Sequence, residues 1–266
     1  MAQDHKLQQQ RFELKYLISE EITRPIRDFV SGYLEPDDYA VGRPNLSYPI
    51  HSLYLDSDDL ATHRAAVNGT KNRFKLRLRY YDVNPDAPVF FEIKSRVDNC
   101  ILKQRCGVWR AAVPLLLAGQ LPEPGQLFSR EPRHLAALQR FNQLLLQLNA
   151  HPRLHNHYLR EAWVSPDANS VRVTFDRNIR IEPFFSDRVA AEFDQPSRIF
   201  PEFVVLELKF TSRFPNWFKE LVRRFNLTQF SSAKYSSGVE LLDECRFRGP
   251  EQIYEWRRPA AADQTS

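Results

Sequence analysis

Apolar and polar residues alternate with a period of two along several short segments, and this alternation is the strongest pattern in the chain. In the segment 74–81, FKLRLRYY, the cations Lys75, Arg77 and Arg79 alternate with apolar residues. Side chains of a strand point alternately to opposite faces, so this segment predicts a strand with one cationic and one apolar face. Similar alternation predicts strands at 11–18, 51–57, 89–96, 99–109, 153–165, 170–183 and 203–212.

Helical patterns occur between these strands. Ser19 is a predicted N-cap, followed by Glu20 and Glu21 in the first turn of a helix that extends to about Tyr33. Further helices are predicted at 58–69, within 111–150 and at 215–227. Because no repeat or linker divides the chain, we predict one α+β domain, mostly antiparallel β, over residues 1–249. A poorly ordered tail is expected at 250–266.

About eight antiparallel strands can close into a barrel, and two closures fit the alternation. With apolar faces inside, the basic exterior would suit a nucleic acid. With charged faces inside, the buried cations would require a polyanion as ligand. The E-x-K pattern at 13–15, 92–94 and 207–209 favours the second closure, as do the aromatic residues, most of which lie opposite the cations. We therefore predict a closed β-barrel, a tunnel with a basic lumen and flanking helices, and no nucleic-acid partner.

The bulk composition agrees with an anionic ligand without identifying it. The 266 residues carry a formal net charge of +4. With eight glycines and no glycine-rich phosphate loop, side chains would have to bind any phosphate. The three cysteines, Cys100, Cys106 and Cys245, lack the spacing of a zinc site. Since no apolar run is long enough to cross a membrane or to form a signal peptide, we expect a cytoplasmic protein.

Eight short motifs, in this order, carry a resemblance to a known family: RFELKY, SLYLDS, KLRLRYY, FEIKSR, YLREAW, VRVTFDRNI, LELKF and FSSAKYSSG. Together they resemble the VTC-type polyphosphate polymerase domain, which belongs to the CYTH or triphosphate tunnel metalloenzyme superfamily. The resemblance extends over roughly residues 11–242. It implies an antiparallel β-barrel tunnel, in agreement with the pattern of charges.

The resemblance also implies a reaction and its residues. The implied reaction transfers a phosphoryl group from ATP, or another triphosphate, to a growing inorganic polyphosphate chain, with Mn²⁺ or Mg²⁺ as cofactor. The implied catalytic residues are Lys15, Arg77, Arg79, Lys94, Arg160, Arg172 and Lys234. The implied substrate-binding residues are Glu13, Lys75, Lys103, Arg105, Tyr158 and Lys209, with Tyr54 as a further donor to phosphate. Glu207 is the implied main metal ligand, and Glu92 assists the metal or orients a cation.

Two departures from the superfamily patterns leave alternatives open. Ala233 precedes Lys234 at a position where family members tend to have serine. Arg11 stands two residues before Glu13, so the E-x-E-x-K pattern of triphosphatases is absent. This disfavours a triphosphatase or tripolyphosphatase, which remains an alternative. A non-catalytic protein that binds polyphosphate or nucleotide is the other alternative.

Some polar residues carry no clear assignment. Asp56 and Asp176 are candidates for pairing with cations of the lumen. His151, His155 and His157 are interpreted as structural or surface residues, because no other part of a histidine-based motif accompanies them.

Overall fold

The computed structural model describes residues 11–82, 84–98, 100–166, 170–211, 213–230 and 233–247, and the predicted tail at 250–266 lies outside them. Each predicted strand is present, and α6 lies in the segment 230–242, where no helix was predicted. The strands are β1 (Arg11–Ser19), β2 (Glu35–Pro36), β3 (Ser47–Asp56), β4 (Arg73–Tyr80), β5 (Pro88–Val97), β6 (Cys100–Trp109), β7 (His151–Val164), β8 (Val171–Pro183), β9 (Ser197–Arg198) and β10 (Phe203–Thr211). The helices are α1 (Glu20–Val30), α2 (Ala61–Val67), α3 (Val113–Leu117), α4 (Pro132–Leu148), α5 (Asn216–Arg224) and α6 (Lys234–Leu242).

The eight long strands form one curled antiparallel sheet in the order β6–β5–β4–β3–β7–β8–β10–β1. The short strands β2 and β9 pair with β7 and β8. Among the described residues, the edge strands β1 and β6 meet at a single pair, Arg11 and Ile101. The prediction of a closed barrel is therefore wrong, because the sheet is an open half-barrel.

The backbone contact between β1 and β6 is short within the part of the chain that the structure describes. In this antiparallel pairing, β1 runs past the start of β6 after the pair of Arg11 and Ile101. Beyond this pair, no backbone pairing joins the described parts of the two strands. Across this gap an ion pair joins Lys94 of β5 to Glu13 of β1, with a distance of 3.1 Å between Nζ and Oε2. This side-chain contact thus connects β1 to β5, although within the described residues backbone pairing between β1 and β6 is limited to one position.

Helices cover the convex face of the sheet, and the charged residues lie on the concave face, as the alternation predicted. Leu76 and Leu78 of β4 are fully buried in one cluster with Phe141 of α4. On the other half of the sheet, Ile26 of α1 and Phe218 of α5 are fully buried against β1 and β10. Burial of each such side chain contributes about 1.5–3 kcal/mol, so this packing fixes which face is outside. None of the helices in the described segments is long and apolar enough to span a membrane.

One part of the concave face is apolar, and α6 packs on it. Tyr235 lies in the same buried cluster as Leu154 of β7 and Ile181 of β8. The approach is close at Gly238, where a Cβ would lie 3.2 Å from a methyl carbon of each of these two residues. As a result α6 closes one side of the concave face and places Lys234, its first residue, beside the charged strands.

The buried carboxylate of Asp56 holds α2 and α6 to the end of β3. Its Oδ1 accepts the backbone N–H of Thr62 at 2.9 Å, and its Oδ2 accepts the hydroxyl groups of Thr62 and Tyr235, each at 2.7 Å. No cation of the described residues forms an ion pair with Asp56, so pairing with the lumen is not its role. Because Tyr235 directly follows Lys234, Asp56 also fixes the position of that lysine.

We expect Asp56→Ala to lower the free energy of unfolding by about 3 kcal/mol, because two buried hydroxyl groups and the start of α2 lose their acceptor. Tyr235→Phe removes one of these bonds and should cost about 1 kcal/mol. Urea unfolding followed by circular dichroism measures both, and Asp86→Ala, at an exposed turn, is the matched control. A loss for Asp56→Ala no greater than that of the control would contradict the assigned role.

Candidate functional site

A cavity of about 2540 Å³ lies on the concave side of the sheet. Its lining follows β4 from Arg73 to Arg79 and includes residues of β1, β5, β6, β7, β10 and α6. Among the described residues, fourteen Lys or Arg and seven Asp or Glu line this cavity. Such an excess of one charge in a concave, partly dehydrated space favours an anionic ligand.

Two of the E-x-K segments lie side by side at the bottom of this cavity. Glu13 of β1 is opposite Lys209 of β10, and Lys15 is opposite Glu207. Lys94, from the third segment, shares Glu13 with Lys15, whose Nζ lies 3.2 Å from Glu13 Oε1. Burial opposes the ionisation of Glu13, but these two lysines hold its pKa well below the usual value. Glu13 is therefore a carboxylate at neutral pH.

Glu207 is the centre of a second cluster of ion pairs. Its Oε2 accepts from Lys209 Nζ at 2.5 Å and from Arg160 Nη2 at 3.1 Å, and Lys234 Nζ lies 3.2 Å from Oε1. Asp176 accepts two bonds of 2.7 Å from Arg160 and one of 2.6 Å from Lys234. Burial opposes ionisation here too, yet the three cations keep the pKa of Glu207 well below its usual value. Asp176 thus pairs with cations of the cavity, the role for which the sequence made it a candidate.

Arg77 and Arg79, the central cations of the segment 74–81, are held by different partners. Arg77 binds Glu92 Oε2 through Nη2 at 2.7 Å and Nε at 2.8 Å. Arg79 Nη2 donates to the hydroxyl of Tyr158 at 3.1 Å. Lys103 Nζ lies 2.6 Å from the other oxygen of Glu92. Glu92 itself is fully buried behind these cations and does not line the cavity, so its position suits it to orient Arg77.

Three lysines of the cavity, Lys75, Lys103 and Lys209, have pKa values below the usual value for lysine. Lys75 Nζ donates to Ser236 Oγ at 3.1 Å and forms no ion pair with a carboxylate of the described residues. Burial, together with nearby lysines, lowers its pKa to about 7. Burial also lowers the pKa of Lys103 and of Lys209 to about 7, in spite of their carboxylate partners. Since an anion in the cavity would favour the charged lysines, these groups couple ligand binding to proton uptake.

At the end of the cavity near Arg79, two further cations lie among aromatic rings. Arg172 Nη2 lies 2.5 Å from Asp37 Oδ2 and donates to the Tyr48 hydroxyl at 3.1 Å. The guanidinium carbon of Arg105 lies 4.5 Å from the centre of the Phe90 ring. Asp37 and Tyr48 were not predicted from the sequence, because they belong to a loop and to a strand end without a charge pattern.

Every residue predicted as catalytic or substrate-binding is brought to this one cavity, as is Tyr54. Its hydroxyl lies 3.5 Å from Arg77 Nη1. Of the two predicted metal ligands, Glu207 lines the cavity and Glu92 lies behind its wall. The residues that line it are Glu13, Lys15, Tyr54, Lys75, Arg77, Arg79, Lys94, Lys103, Arg105, Tyr158, Arg160, Arg172, Glu207, Lys209 and Lys234.

The donor set of the cavity fits a divalent cation only if the ligand supplies oxygen atoms. Within the described ranges, no group of three or more His, Cys, Asp or Glu side chains could hold a metal ion. Mg²⁺ is commonly bound by one or two carboxylates together with substrate phosphates and water, rather than by a complete protein cage. Glu207, which lines the cavity, supplies hard oxygen donors of this kind, and Glu13 is close enough to influence its charge.

The three histidines considered in the sequence analysis, His151, His155 and His157, do not line this cavity. His155 and His157 point to the convex side of β7, where His155 Nε2 lies 3.1 Å from His51 Nδ1 and 3.0 Å from the Tyr80 hydroxyl. Burial lowers the pKa of His155 to about 3 and that of His157 to about 4, so both are neutral at pH 7. His151 is exposed at the start of the strand. The buried His155 and the exposed His151 thus agree with the interpretation of these histidines as structural or surface residues.

Comparison with solved structures finds matches of low sequence identity. A protein from Pyrococcus horikoshii OT3 is 13% identical, with a TM-score of 0.43, and the match covers 87% of this chain and 98% of that one. A protein from Vibrio parahaemolyticus, described as a candidate adenylate cyclase, is 10% identical with a TM-score of 0.43 and coverage of 85% and 95%. No curated protein matches the sequence.

The comparison with protein families gives a match over most of the chain. The family described as VTC domain matches residues 10–243, which include every element of the sheet and the whole lining of the basic cavity. The chain therefore belongs to the VTC domain family.

Proposed function

We propose that this protein transfers the terminal phosphoryl group of a nucleoside triphosphate, with ATP as the first candidate, to a growing inorganic polyphosphate chain. Membership of the VTC domain family supports a function related to polyphosphate or triphosphate. The observation that carries the proposal is the cavity itself, where fourteen cations face seven carboxylates among the described residues. A chain of phosphates would supply the missing negative charge.

The reaction needs positioning and neutralisation of charge more than it needs a protein nucleophile. In the proposed step, an oxygen of the terminal phosphate of the chain attacks the γ-phosphorus of the donor. A new P–O bond forms, the bond from the γ-phosphorus to the bridging oxygen breaks, and the nucleoside diphosphate leaves with that bond's electron pair. The chain gains one phosphate and the donor loses one.

The lysines and the arginines of the cavity would contribute differently to binding and neutralising the phosphates. Lys15, Lys209 and Lys234 surround Glu207 and can neutralise the charge on the transferred group. Arg77 is oriented by Glu92, and a guanidinium fork held in this way can bind two phosphate oxygens at once. Arg160 and Arg172 would bind further phosphates from the opposite wall. A Mg²⁺ or Mn²⁺ ion bound with Glu207 would supply additional neutralisation of the phosphate oxygens.

A hydrolase in the same cavity would use water in place of the polyphosphate chain as acceptor. The proposed reaction differs from it in the acceptor and therefore in the product, whereas both need the same cations. A protein that binds triphosphate without turnover would use the cavity for recognition only. The products formed from ATP distinguish these three functions.

We expect the purified protein to form long-chain polyphosphate from ATP in the presence of Mn²⁺ or Mg²⁺, as seen on a gel stained for polyphosphate. Orthophosphate as the sole phosphate product would instead indicate the hydrolase. No turnover with any triphosphate would indicate a binding protein.

Glu207→Gln should reduce turnover about 100-fold, because the carboxylate that organises three cations and binds the metal is lost. Binding of tripolyphosphate without metal should be retained or become tighter, because a negative charge leaves the cavity. Calorimetry measures this binding, and Glu220→Gln, on the exposed side of α5, is the matched control. Full turnover by Glu207→Gln would exclude Glu207 from the reaction.

Arg77→Ala should weaken tripolyphosphate binding roughly 10- to 100-fold, the effect expected for the loss of a charged hydrogen-bond donor. Arg133→Ala is the control, since Arg133 is 76% exposed and pairs with Glu131 outside the cavity. Titration calorimetry at constant ionic strength gives both affinities. An unchanged affinity for Arg77→Ala would mean that the phosphates bind elsewhere.

Triphosphate binding should weaken as pH rises above about 7. In the free protein, the pKa values of Lys75, Lys103 and Lys209 are lowered to about 7, and a bound anion would raise them. Affinity is therefore greatest when the lysines are charged, and it falls as pH increases towards the raised pKa values of the complex. At pH 8, calorimetry in buffers of different ionisation enthalpy should show an uptake of roughly one to three protons.

Lys75→Arg tests the source of these protons, because arginine stays charged over this pH range. The variant should take up about one proton fewer on binding tripolyphosphate at pH 8. Lys219→Arg, at an exposed position of α5, should bind with the same uptake as the unmodified protein. An uptake that Lys75→Arg leaves unchanged would place the titration on other groups.

A further inference from the structure

One lysine of the basic cavity has a different kind of partner from the others. Among the described residues, Lys75 forms no ion pair with a carboxylate, and its Nζ lies 3.1 Å from Ser236 Oγ and 5.2 Å from the centre of the Tyr235 ring. Five other lysines of the cavity each have a carboxylate oxygen within 3.2 Å: Lys15, Lys94, Lys103, Lys209 and Lys234. The proposed reaction uses Lys75 only as a positive charge, which leaves its contact with a hydroxyl group without a role.

Lys75 and Ser236 form a pair of the kind that activates a hydroxyl group. Both residues line the cavity, and Ser236 is 8% exposed. An amine that lies within hydrogen-bond distance of a serine hydroxyl can take its proton and leave the oxygen as a nucleophile. Burial lowers the pKa of Lys75 to about 7, so the amine form is present at neutral pH. This pair therefore has both the geometry and the protonation state that such a transfer needs.

The charged groups that face Lys75 favour its amine form. Lys15 of β1, Lys94 of β5 and Arg73 of β4 lower the pKa of Lys75, whereas Asp56 at the end of β3 raises it. From α6 come the two neutral contacts described above. Cations thus outnumber carboxylates around this lysine.

Ser236 is held in place by the residues on either side of it. The hydroxyl of Tyr235 donates to Asp56 Oδ2 at 2.7 Å, and the Tyr235 ring stacks on Tyr54 with centroids 4.8 Å apart. Gly238, two residues after Ser236, packs closely on β7 and β8. The hydroxyl of Ser236 is therefore placed beside Lys75 before any ligand binds, which lowers the entropic cost of bringing it to a reacting group.

The hydroxyl of Ser236 also lies beside cations that would bind a phosphate. Lys75 and Arg77 occupy alternate positions of β4, so they share a face at a spacing of about 6.6 Å along the strand. A phosphoryl group bound between these two cations would lie next to Ser236. A phosphate attached to Ser236 would in turn be stabilised by Lys75 and by the first turn of α6, of which Ser236 is the third residue.

We propose that the protein phosphorylates itself on Ser236, with Lys75 as the general base and a nucleoside triphosphate as the donor. Ser236 Oγ attacks the γ-phosphorus and its proton moves to Lys75 Nζ. A bond forms between Oγ and phosphorus, the bond from the γ-phosphorus to the bridging oxygen breaks, and the nucleoside diphosphate leaves with that bond's electron pair. The proposal rests on the proposed function for the presence of a triphosphate in the cavity. It adds a second acceptor, a side chain of the protein itself.

Self-phosphorylation would reduce the affinity of the cavity for other polyanions. A phosphoserine carries a charge of about −1.5 to −2 at pH 7 and would pair with Lys75. Ser236→Asp, which also adds negative charge, should therefore weaken tripolyphosphate binding about tenfold. Ser236→Asn, of similar size and without the charge, should bind as the wild-type protein does. Equal affinities of these two variants by calorimetry would overturn this effect of the modification.

The modification is tested by incubating the full chain with ATP radiolabelled at the γ-phosphate and Mn²⁺ or Mg²⁺. A denaturing gel and mass spectrometry of peptides should then locate a covalent, alkali-labile phosphate on Ser236. Ser236→Ala should lose this label and still bind tripolyphosphate. Ser237→Ala is the matched control, because Ser237 is the next residue of α6 and also lines the cavity, and it should keep the label on Ser236.

Lys75→Arg distinguishes a general base from a positive charge, because arginine keeps its charge and does not accept a proton in this pH range. The variant should bind tripolyphosphate and slow the labelling of Ser236 about 100-fold or more, as expected when a general base is removed. At saturating ATP, labelling of the wild-type protein should accelerate as pH rises above about 7, since more of Lys75 is then the amine. Lys75→Arg should lose this pH dependence.

The absence of covalent label, label that Ser236→Ala retains, or labelling by Lys75→Arg at the wild-type rate would overturn the proposal. These results are separable from those that test polyphosphate synthesis. If Ser236 became labelled and no polyphosphate formed, the modification would stand and the synthesis would not. If polyphosphate formed and Ser236 stayed unlabelled, the reverse would hold. If ATP gave neither product, both proposals would be wrong.

Discussion

Positive charge gathered on the concave side of one sheet is the constraint on which the rest of the structure depends. Cations at alternate positions of a strand must all face the same side, and on β4 they face a cavity that the other strands also line. The opposite faces are then apolar and need cover, which α1, α4 and α5 provide. The helices on the convex side are thus a consequence of the charges on the concave side.

Carboxylates pair with many of these cations, but they are too few to neutralise all of them. Glu13 and Glu207 each bind cations from more than one position, and Asp176 and Glu92 support the cations from behind. Burial lowers the pKa of Lys75, Lys103 and Lys209 to about 7, and nearby cations add to this effect. A site built in this way gains stability when an anion enters, and membership of the VTC domain family suggests polyphosphate or a triphosphate as that anion.

The two ends of the cavity differ because its boundaries are made of different elements. Helix α6 covers the apolar part of the concave face and places Lys234 against Asp176 and Glu207, held from the side by the bond between Tyr235 and Asp56. The loop anchored by Asp37 places Tyr39 at one end only.

The sequence by itself determined the long strands, the alternation of charged and apolar faces and most of the cations of the cavity. It could do so because a period of two assigns side chains to faces without any knowledge of partners, and because Lys75, Arg77 and Arg79 share a face in any strand. Only the tertiary structure decided how the edges meet, since the register of Arg11 with Ile101 leaves the half-barrel open. It also decided that Glu92 lies behind Arg77, that Asp56 binds Tyr235 and that Tyr39 reaches the cavity. These depend on contacts between residues far apart in the chain, which no local pattern encodes.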